Sequence, residues 1–231
     1  MPVEAPIPQR MALVAGGTGL TGRALLQLLL KRSDYARIHA ITRRPVMFDN
    51  PRLANRVLPL EQVQAKLAGT RVNDAFCCLG APQARRGTCA QLRPVDVELT
   101  LVFARAALGL GATRFVVVSA AGADRNTGSD FLKVKGELES ALRELKFPAI
   151  DIMAPGMVTG LRAQMQPADW LAMLRPLLNP LLRGSLAARR AVAPETLAAA
   201  MLGAARAQRG GVHVYSGTSL QALAESGLQQ P

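Results

Sequence analysis

Apolar residues along the chain follow two alternating patterns. Short continuous apolar runs, such as residues 11–15 and 149–153, are separated by longer stretches in which apolar positions recur every three or four residues. The continuous runs are typical of strands covered on both faces, and the longer stretches are typical of amphipathic helices. Strands that alternate with helices predict a parallel sheet with helices on both faces, which is a doubly wound α/β fold.

The boundaries of the elements follow from these patterns and from the Gly, Pro, Ser and Asp residues between them. The predicted strands are residues 11–15, 37–42, 56–58, 75–79, 115–119, 149–153 and 212–215. The predicted helices are residues 20–32, 60–68, 95–110, 129–145, 194–207 and 220–225.

The length of 231 residues and a hydrophobic content of 49% suit a single domain. Residues 1–10 predict a flexible tail, and residues 11–231 predict one domain. Residues 161–193 are rich in Leu, Arg and Pro and predict short helices and loops. We expect residues 156–193 and 216–231 to form a small substrate lobe over the carboxyl ends of the strands, where ligands bind in such folds.

The segment MALVAGGTGLTG, residues 11–22, joins the first strand to the first helix. In this order Gly16 permits a tight turn, Gly19 lets the backbone approach a phosphate, and Gly22 lets the helix pack on the strand. The amides and the positive dipole end of the helix would face a dinucleotide pyrophosphate. We therefore predict a Rossmann-type cofactor site, with a tight structural turn as the alternative. Its residues are Gly16, Gly17, Thr18, Gly19, Leu20, Thr21 and Gly22.

The end of the second strand indicates which nicotinamide cofactor binds. An NAD site usually has Asp or Glu there, to hold the ribose 2′-hydroxyl. Here Thr42 is followed by Arg43 and Arg44, with no acidic residue. Two guanidinium groups suit a 2′-phosphate, which they bind in bidentate fashion. We therefore predict NADP(H) rather than NAD(H), with solvated surface arginines as the alternative.

The chain has a formal net charge of +12, from 28 Lys and Arg against 16 Asp and Glu. Such a charge raises nucleic acid, a membrane surface or anionic substrates as partners. However, the arginines are scattered along the chain, without a basic run, a zinc-finger spacing or interleaved aromatic residues. We interpret most of them as solvated surface residues and do not expect nucleic-acid binding.

The cysteines and histidines limit which cellular compartment and which metal sites are compatible with the sequence. Cys77, Cys78 and Cys89 give an odd count with an adjacent pair, which fits a reducing compartment better than a disulfide framework. No Cys/His cluster has ligand spacing, so we expect no metal site. No apolar run approaches the ~18 residues of a membrane span, and residues 1–10 do not resemble a signal peptide. We therefore expect a cytoplasmic protein without a membrane span.

Several segments occur in the same order as in a known family. They are GGTGLTG (16–22), TRR (42–44), FCCLG (76–80), VD (95–96), VKGE (134–137) and APG (154–156). With these residues the chain resembles the atypical short-chain dehydrogenase/reductases, in particular the group of the human Tat-interacting protein. The resemblance covers nearly the whole chain after residue 10, and CCLG and VKGE are its most discriminating parts.

This resemblance implies a role for each matching segment. Leu79 and Gly80 would lie against the cofactor ribose, and Ser119 would face the nicotinamide. Lys135 would donate hydrogen bonds to the nicotinamide ribose, so that Lys135 and Ser119 are the candidate catalytic residues. The residues implied on the carboxamide side are Pro155, Gly156, Met157 and Val158.

The chain departs from the family at the proton donor. Active members use Tyr-x-x-x-Lys, in which the tyrosine lies one helical turn before the lysine on the same face. The residue four positions before Lys135 is Phe131, which has no ionisable proton. The tyrosines of this chain, Tyr35 and Tyr215, belong to other predicted elements.

Two further residues receive structural interpretations. Cys78, at the end of the fourth strand, is interpreted as a small buried packing residue rather than a nucleophile. Asp96 is interpreted as an acid at the start of a helix that interacts with the helix dipole.

These observations favour an NADP(H)-dependent oxidoreductase that acts on an unknown small organic substrate. The proton would come from Lys135, Ser119 or water. The missing tyrosine favours an alternative, a non-catalytic NADP(H)-binding sensor or regulatory protein with a protein partner. The sequence leaves a monomer and a homodimer open, and the helices at 95–110 and 129–145 are the usual dimer surface of this superfamily.

Overall fold

The strands in the described part of the chain form one seven-stranded parallel sheet and one separate two-stranded pair. The computed structural model describes residues 10–81, 88–159 and 191–229. The strands are β1 (Met11–Ala15), β2 (Arg37–Thr42), β3 (Leu53–Val57), β4 (Asp74–Cys77), β5 (Arg114–Val118), β6 (Ala149–Met153), β7 (Met157–Val158), β8 (Ala191–Val192) and β9 (Gly211–Tyr215). The helices are α1 (Leu20–Lys31), α2 (Val63–Lys66), α3 (Cys89–Arg93), α4 (Thr100–Gly109), α5 (Asp130–Arg143), α6 (Pro194–Ala207) and α7 (Gly217–Leu228).

The order of the large sheet is β3-β2-β1-β4-β5-β6-β9, with every pair parallel. The chain moves outward from β1 to β3 and then returns to the other side of β1, where β4 begins the second half. The order therefore reverses between β1 and β4, and the crevice at the carboxyl ends of these strands is where such sheets bind ligands. The predicted doubly wound α/β fold is confirmed.

The sheet is covered on both faces, because successive side chains of a strand point to opposite sides. Leu13 and Ala15 lie in a cluster with α2, α4 and α5, whereas Ala12 and Val14 lie in a second cluster with α1 and α6. Four consecutive buried residues in β1 thus belong to two different cores. This arrangement explains why the strand is a continuous apolar run rather than an alternating one.

Helix α7 packs directly on α6 through small residues. A Cβ atom at Gly203 of α6 would come within 2.0 Å of the Leu223 carbonyl oxygen of α7. The described part of residues 216–231 therefore belongs to a helical layer beside the sheet. Residues 160–190, which carry most of the predicted substrate lobe, lie outside the described residues, so the lobe stays a prediction.

Several predicted boundaries are wrong. The helix predicted at 95–110 begins at Cys89 and continues through a π-helical segment, Pro94–Leu99, into α4. The predicted helix began directly after Pro94, whereas Pro94 is the first residue of the π-helical part of this continuous helical segment. The strand predicted at 56–58 begins at Leu53, and the predicted last turn at 220–225 is the longer α7.

Other differences concern the ends of elements. The segment at 60–68 is a 3-10 turn, Leu60–Gln62, followed by the short α2. Strand β4 ends at Cys77 rather than at residue 79, which leaves Leu79 and Gly80 in the loop after it. The pairing of β7 with β8 had no signal in the sequence, since each strand has two residues.

Arg114 and Arg10 have structural roles and are exceptions to the interpretation of most arginines as solvated surface residues. Arg114, 5% exposed at the start of β5, forms an ion pair with Asp151 of β6. Arg10 forms an ion pair with Asp74 of β4, whose carboxylate also accepts a hydrogen bond from the Tyr35 hydroxyl at 2.8 Å. These pairs connect the central strands at the edge opposite the ligand crevice.

Candidate functional site

Two glycines shape the turn between β1 and α1, residues 16–22, which we call the glycine turn. Gly16 has φ of +79°, a left-handed conformation that favours glycine. A Cβ at Gly16 would lie 2.5 Å from the carbonyl oxygen of Cys78, and a Cβ at Gly22 would lie 2.1 Å from the carbonyl oxygen of Gly16. The fold itself therefore requires glycine at both positions.

At Gly19, unlike Gly16 and Gly22, the fold does not require glycine. Its φ of −76° suits any residue, and a Cβ there would meet nothing nearer than the Gly16 carbonyl oxygen at 3.4 Å. Thr18, Gly19 and Leu20 are exposed, and α1 begins without a side-chain cap or an acidic residue in its first turn. An exposed helix start without a side-chain cap, and without a side chain at Gly19, fits an anionic ligand close to the backbone.

The predicted pyrophosphate residues and Arg43-Arg44 lie at the same edge of the sheet. Arg43 and Arg44 directly follow β2, which pairs in parallel with β1, so both segments lie at carboxyl ends of neighbouring strands. Both arginines are exposed. Thr42 before them is buried, and its hydroxyl accepts a hydrogen bond of 2.8 Å from Asn55 of β3.

Lys135 is buried at the carboxyl edge of the sheet, which is unusual for an ammonium group. It is 4% exposed, and its Nζ lies 2.5 Å from Asp96 Oδ1 and 3.4 Å from the carbonyl oxygen of Val118. Helix α5 is fixed by Ser129, whose side chain accepts a hydrogen bond from the Leu132 amide. The helix thereby holds the lysine against the end of β5.

The interpretation of Asp96 as an acid at a helix start is wrong. Asp96 lies within the continuous helical segment that begins at α3 and is 1% exposed. Its Oδ1 pairs with Lys135, and its Oδ2 accepts a hydrogen bond of 3.0 Å from the Ala81 amide. Asp96 thus connects Lys135 to the loop after β4, which contains Leu79 and Gly80.

Glu139 is a site residue that the sequence analysis missed. The Ser119 hydroxyl donates a hydrogen bond of 2.5 Å to Glu139 Oε1. Burial raises the pKa of the Glu139 carboxyl, although the bond from Ser119 and the charges of Arg143 and Lys135 oppose this effect. The signal was present in the sequence, because Glu139 lies four residues after Lys135 on the same helical face.

The tyrosine position of the family is filled by Phe131, which packs against the core on the α5 face of the sheet. Tyr35 lies at the opposite edge, where it binds Asp74. Tyr215 ends β9 but packs in the cluster on the α6 face. Among the described residues, no tyrosine therefore lies beside Ser119 and Lys135.

The segment after β6 closes this edge of the sheet. Pro155 is buried, and its carbonyl oxygen accepts a hydrogen bond of 3.0 Å from the Ala121 amide, which links it to the loop after Ser119. Met157 and Val158 form β7 and are half-buried. The contacts of Pro155, Gly156, Met157 and Val158 with a cofactor stay predictions.

Cys78 is a packing residue, as its sequence position indicated. Its sulfur lies 3.8 Å from the sulfur of Met201 in α6. Burial raises the pKa of the Cys78 thiol well above its ordinary range, so the thiol is protonated at neutral pH and a poor nucleophile.

The sheet order and the glycine turn define the class of the protein, an NAD(P)-binding Rossmann domain. Residues 16–149 match a family model described as NAD(P)H-binding. This match spans more than half of the chain, and the chain belongs to that family.

Two relatives agree with this membership, and one solved structure shares the fold. The chain is homologous to HTATIP2 of Rattus norvegicus, with 30% identity over 71% of this chain and 69% of the relative. It is also homologous to FMP52 of Debaryomyces hansenii, with 30% identity over 67% of this chain and 70% of the relative. A short chain dehydrogenase family protein of Francisella tularensis has a TM-score of 0.69 at 15% identity, over 91% of this chain and 98% of that one, and shows the same fold. The resemblance stated from the sequence is confirmed.

The expected cytoplasmic location is contradicted by the relatives. FMP52 of Debaryomyces hansenii and further fungal relatives of that name are designated mitochondrial. The expectation was wrong because cysteine usage argues against an oxidising compartment without distinguishing among the others. In residues 10–81, 88–159 and 191–229, no helix is both long and apolar enough to cross a membrane.

Proposed function

We propose that the protein is an NADP(H)-dependent oxidoreductase that reduces a small organic carbonyl compound or activated alkene. The observation that carries this proposal is the buried Lys135–Asp96 pair at the ligand edge of the sheet. An ion pair withdrawn from water is costly, so its position beside the ends of β4 and β5 favours a role in the site.

The third hydrogen of the Lys135 ammonium supports a contact with the cofactor. An ammonium group donates three hydrogen bonds. In the part of the chain that the structure describes, the Val118 carbonyl accepts one of them, and Asp96 holds the ammonium group by an ion pair. The remaining donor suits a ribose hydroxyl, and Ser119 beside it suits a substrate oxygen. When bound, the nicotinamide supplies the hydride, and the protein supplies orientation and the proton.

The preference for NADP(H) rests on Arg43 and Arg44. Substitution of both by Ala is expected to weaken NADPH binding by about 10²-fold, because hydrogen bonds to a charged phosphate contribute ~1.5–3 kcal/mol each. Binding of NADH, which has no 2′-phosphate, should change by less than about twofold by the same argument. Isothermal titration calorimetry with both cofactors measures the two affinities.

A matched control removes the same charge elsewhere. Arg71 and Arg105 are exposed, and Arg71 lies before β4 at the opposite edge of the sheet. The Arg71→Ala/Arg105→Ala variant should keep the wild-type affinity for NADPH. Equal affinities of the wild type for NADPH and NADH would contradict the proposed preference.

The oxidoreductase activity itself is tested by NADPH oxidation. We expect the wild type to oxidise NADPH, followed at 340 nm, with at least one substrate among quinones, enones and aldehydes. The Lys135→Met variant should lose this activity by about 10²-fold or more if Lys135 orients the cofactor. Tight NADPH binding without turnover of any of these substrates would contradict the proposal.

One observation favours a second candidate function, a non-catalytic NADP(H)-dependent sensor. Phe131 replaces the usual proton donor, and its half-buried side chain packs against the core on the α5 face of the sheet. In this case cofactor occupancy would bias binding of a protein partner. Affinity purification with and without NADPH distinguishes the two, since a sensor requires a set of bound proteins that changes with the cofactor.

A further inference from the structure

Ser119 and Glu139 form a polar pair beside the end of β5, separate from the Lys135–Asp96 pair. Ser119 is 4% exposed, and Glu139 is half-buried. The two side chains are joined by the 2.5 Å hydrogen bond between Ser119 Oγ and Glu139 Oε1. A serine hydroxyl both donates and accepts, and a carboxyl group does so when it is protonated. The pair therefore has the chemistry of a two-group proton relay.

A small cavity connects Glu139, one member of this pair, with solvent. Its volume is about 140 Å³, and its lining includes Ala120, Gly122, Glu139, Val214 and Ser216. Gly122 and Val214 on its rim are exposed. At about 30 Å³ per molecule, the cavity has room for several waters, and Glu139 supplies a polar partner for them.

We propose that Ser119 and Glu139 deliver the proton of the reduction in place of the missing tyrosine. Ser119 is the catalytic residue that touches the substrate, and Glu139 is a positioning residue that supplies Ser119 with a proton taken from the cavity. This proposal rests on the proposed oxidoreductase function and identifies its proton donor. The proposal also gives Lys135, whose ammonium group is paired with Asp96, the role of orienting the cofactor.

The step balances as follows for a carbonyl substrate. The carbonyl carbon gains a hydride from NADPH, the reductant named in the proposed function, and the C=O π bond breaks. When Glu139 is protonated, the hydrogen bond of the pair is reversed, so that the Glu139 carboxyl donates to Ser119 Oγ and the Ser119 hydroxyl donates to the substrate oxygen. The substrate oxygen then takes the Ser119 hydroxyl proton, Ser119 Oγ takes the Glu139 carboxyl proton, and water in the cavity restores a proton to Glu139. The net reaction consumes the carbonyl compound, NADPH and one proton and yields the alcohol and NADP⁺.

The surroundings of Glu139 determine the pH range of this relay. Lys135 and Arg143 on its own helix are the charged groups that favour its ionised form, and Ser119 does the same by hydrogen bonding. The ends of β6 and β9 face the cavity with Ala154, Val214 and Ser216, which carry no charge. Burial is the largest effect and raises the Glu139 pKa. Because the protonated carboxyl is the donor, kcat should fall as pH rises through this raised pKa.

The Glu139→Gln variant tests the relay. Its kcat for NADPH oxidation is expected to fall by about 10²-fold, and the pH-dependent decrease of kcat seen in the wild type should vanish. The affinity for NADPH should stay within about twofold, because Glu139 is assigned no contact with the cofactor. Glu137→Gln is the matched control on the same helix, since Glu137 pairs with Arg93 outside the relay. This control should retain both kcat and the pH profile.

A titration without cofactor gives an independent measure. In apo protein with ¹³C-labelled glutamate, one carboxyl should titrate above the ordinary glutamate range and be absent from Glu139→Gln. In Ser119→Ala its pKa should rise further, because the hydrogen bond from Ser119 favours the ionised form. No such carboxyl, or wild-type kcat and pH profile in Glu139→Gln, would overturn the relay alone. If the wild type turns over none of the substrate classes, the oxidoreductase function fails and the relay with it.

Discussion

The Gly22→Ala variant is expected to lose NADPH binding and to be the most destabilised of the variants at the glycine turn. The added Cβ would lie 2.1 Å from the Gly16 carbonyl oxygen and 2.9 Å from the Gly17 Cα, both of them backbone atoms. Relief of these contacts requires α1 to move away from the end of β1, which removes buried contacts of Leu25 and Leu26. We expect a loss of about 3 kcal/mol or more in the free energy of unfolding, measured in urea.

The Gly19→Ala variant separates the two roles of the glycine turn. A Cβ at Gly19 meets no backbone atom closer than 3.4 Å, so the free energy of unfolding should change little. The methyl group nevertheless occupies the exposed helix start, and NADPH affinity should fall by about tenfold or more, comparable to the loss of a hydrogen bond to a charged group. Gly128→Ala, with no atom within 4 Å of the new Cβ, is the control for both measurements. Unchanged NADPH affinity in both Gly19→Ala and Gly22→Ala would contradict the assignment.

The second large effect is expected for Asp96→Ala. This substitution leaves the Lys135 ammonium buried without its carboxylate and removes the acceptor of the Ala81 amide. Breaking a buried ion pair from one side costs about 3–5 kcal/mol, a large part of the ~5–15 kcal/mol stability of a typical domain. Urea unfolding followed by circular dichroism measures this loss.

The control and a double variant identify the cause of that effect. Glu98 is an exposed carboxylate in the same helical segment, so Glu98→Ala should change stability by less than about 0.5 kcal/mol. The Asp96→Ala/Lys135→Met double variant should be more stable than Asp96→Ala, because it no longer buries an uncompensated charge. Equal stability of Asp96→Ala and Glu98→Ala would show that the pair is not buried in solution.

The first half of the fold could be predicted closely from the sequence. Strands β1 and β2 begin and end where their apolar runs do, because both are buried on two faces and are bounded by glycines or charged residues. The predicted start of the edge strand β3 was wrong, because Asn55 and Arg56 interrupt the apolar pattern of that strand. Asn55 is there for a structural reason, because its side chain binds Thr42 and the Ala40 carbonyl. A pattern of hydrophobicity does not report such side-chain contacts.

The candidate site was predictable where a sequence motif reflects a constraint on the backbone, as at Gly16 and Gly22. It was less predictable where function depends on contacts between distant segments. Asp96 and Lys135 are 39 residues apart in the sequence (135 − 96), and the helix of Asp96 was predicted to begin at residue 95 rather than at Cys89, so Asp96 was interpreted as an acid at a helix start. Glu139 differs, because its helical spacing from Lys135 was visible. The Tyr-x-x-x-Lys motif ends at Lys135 and therefore did not indicate Glu139.

A crystal structure of the protein with NADP⁺ tests dinucleotide binding at the glycine turn most directly. We expect the pyrophosphate at the first-turn amides of α1, the 2′-phosphate at Arg43 and Arg44, and the nicotinamide beside Ser119 and Lys135. Electron density for the cofactor elsewhere on the protein, or none at the glycine turn under saturating NADP⁺, would contradict this account.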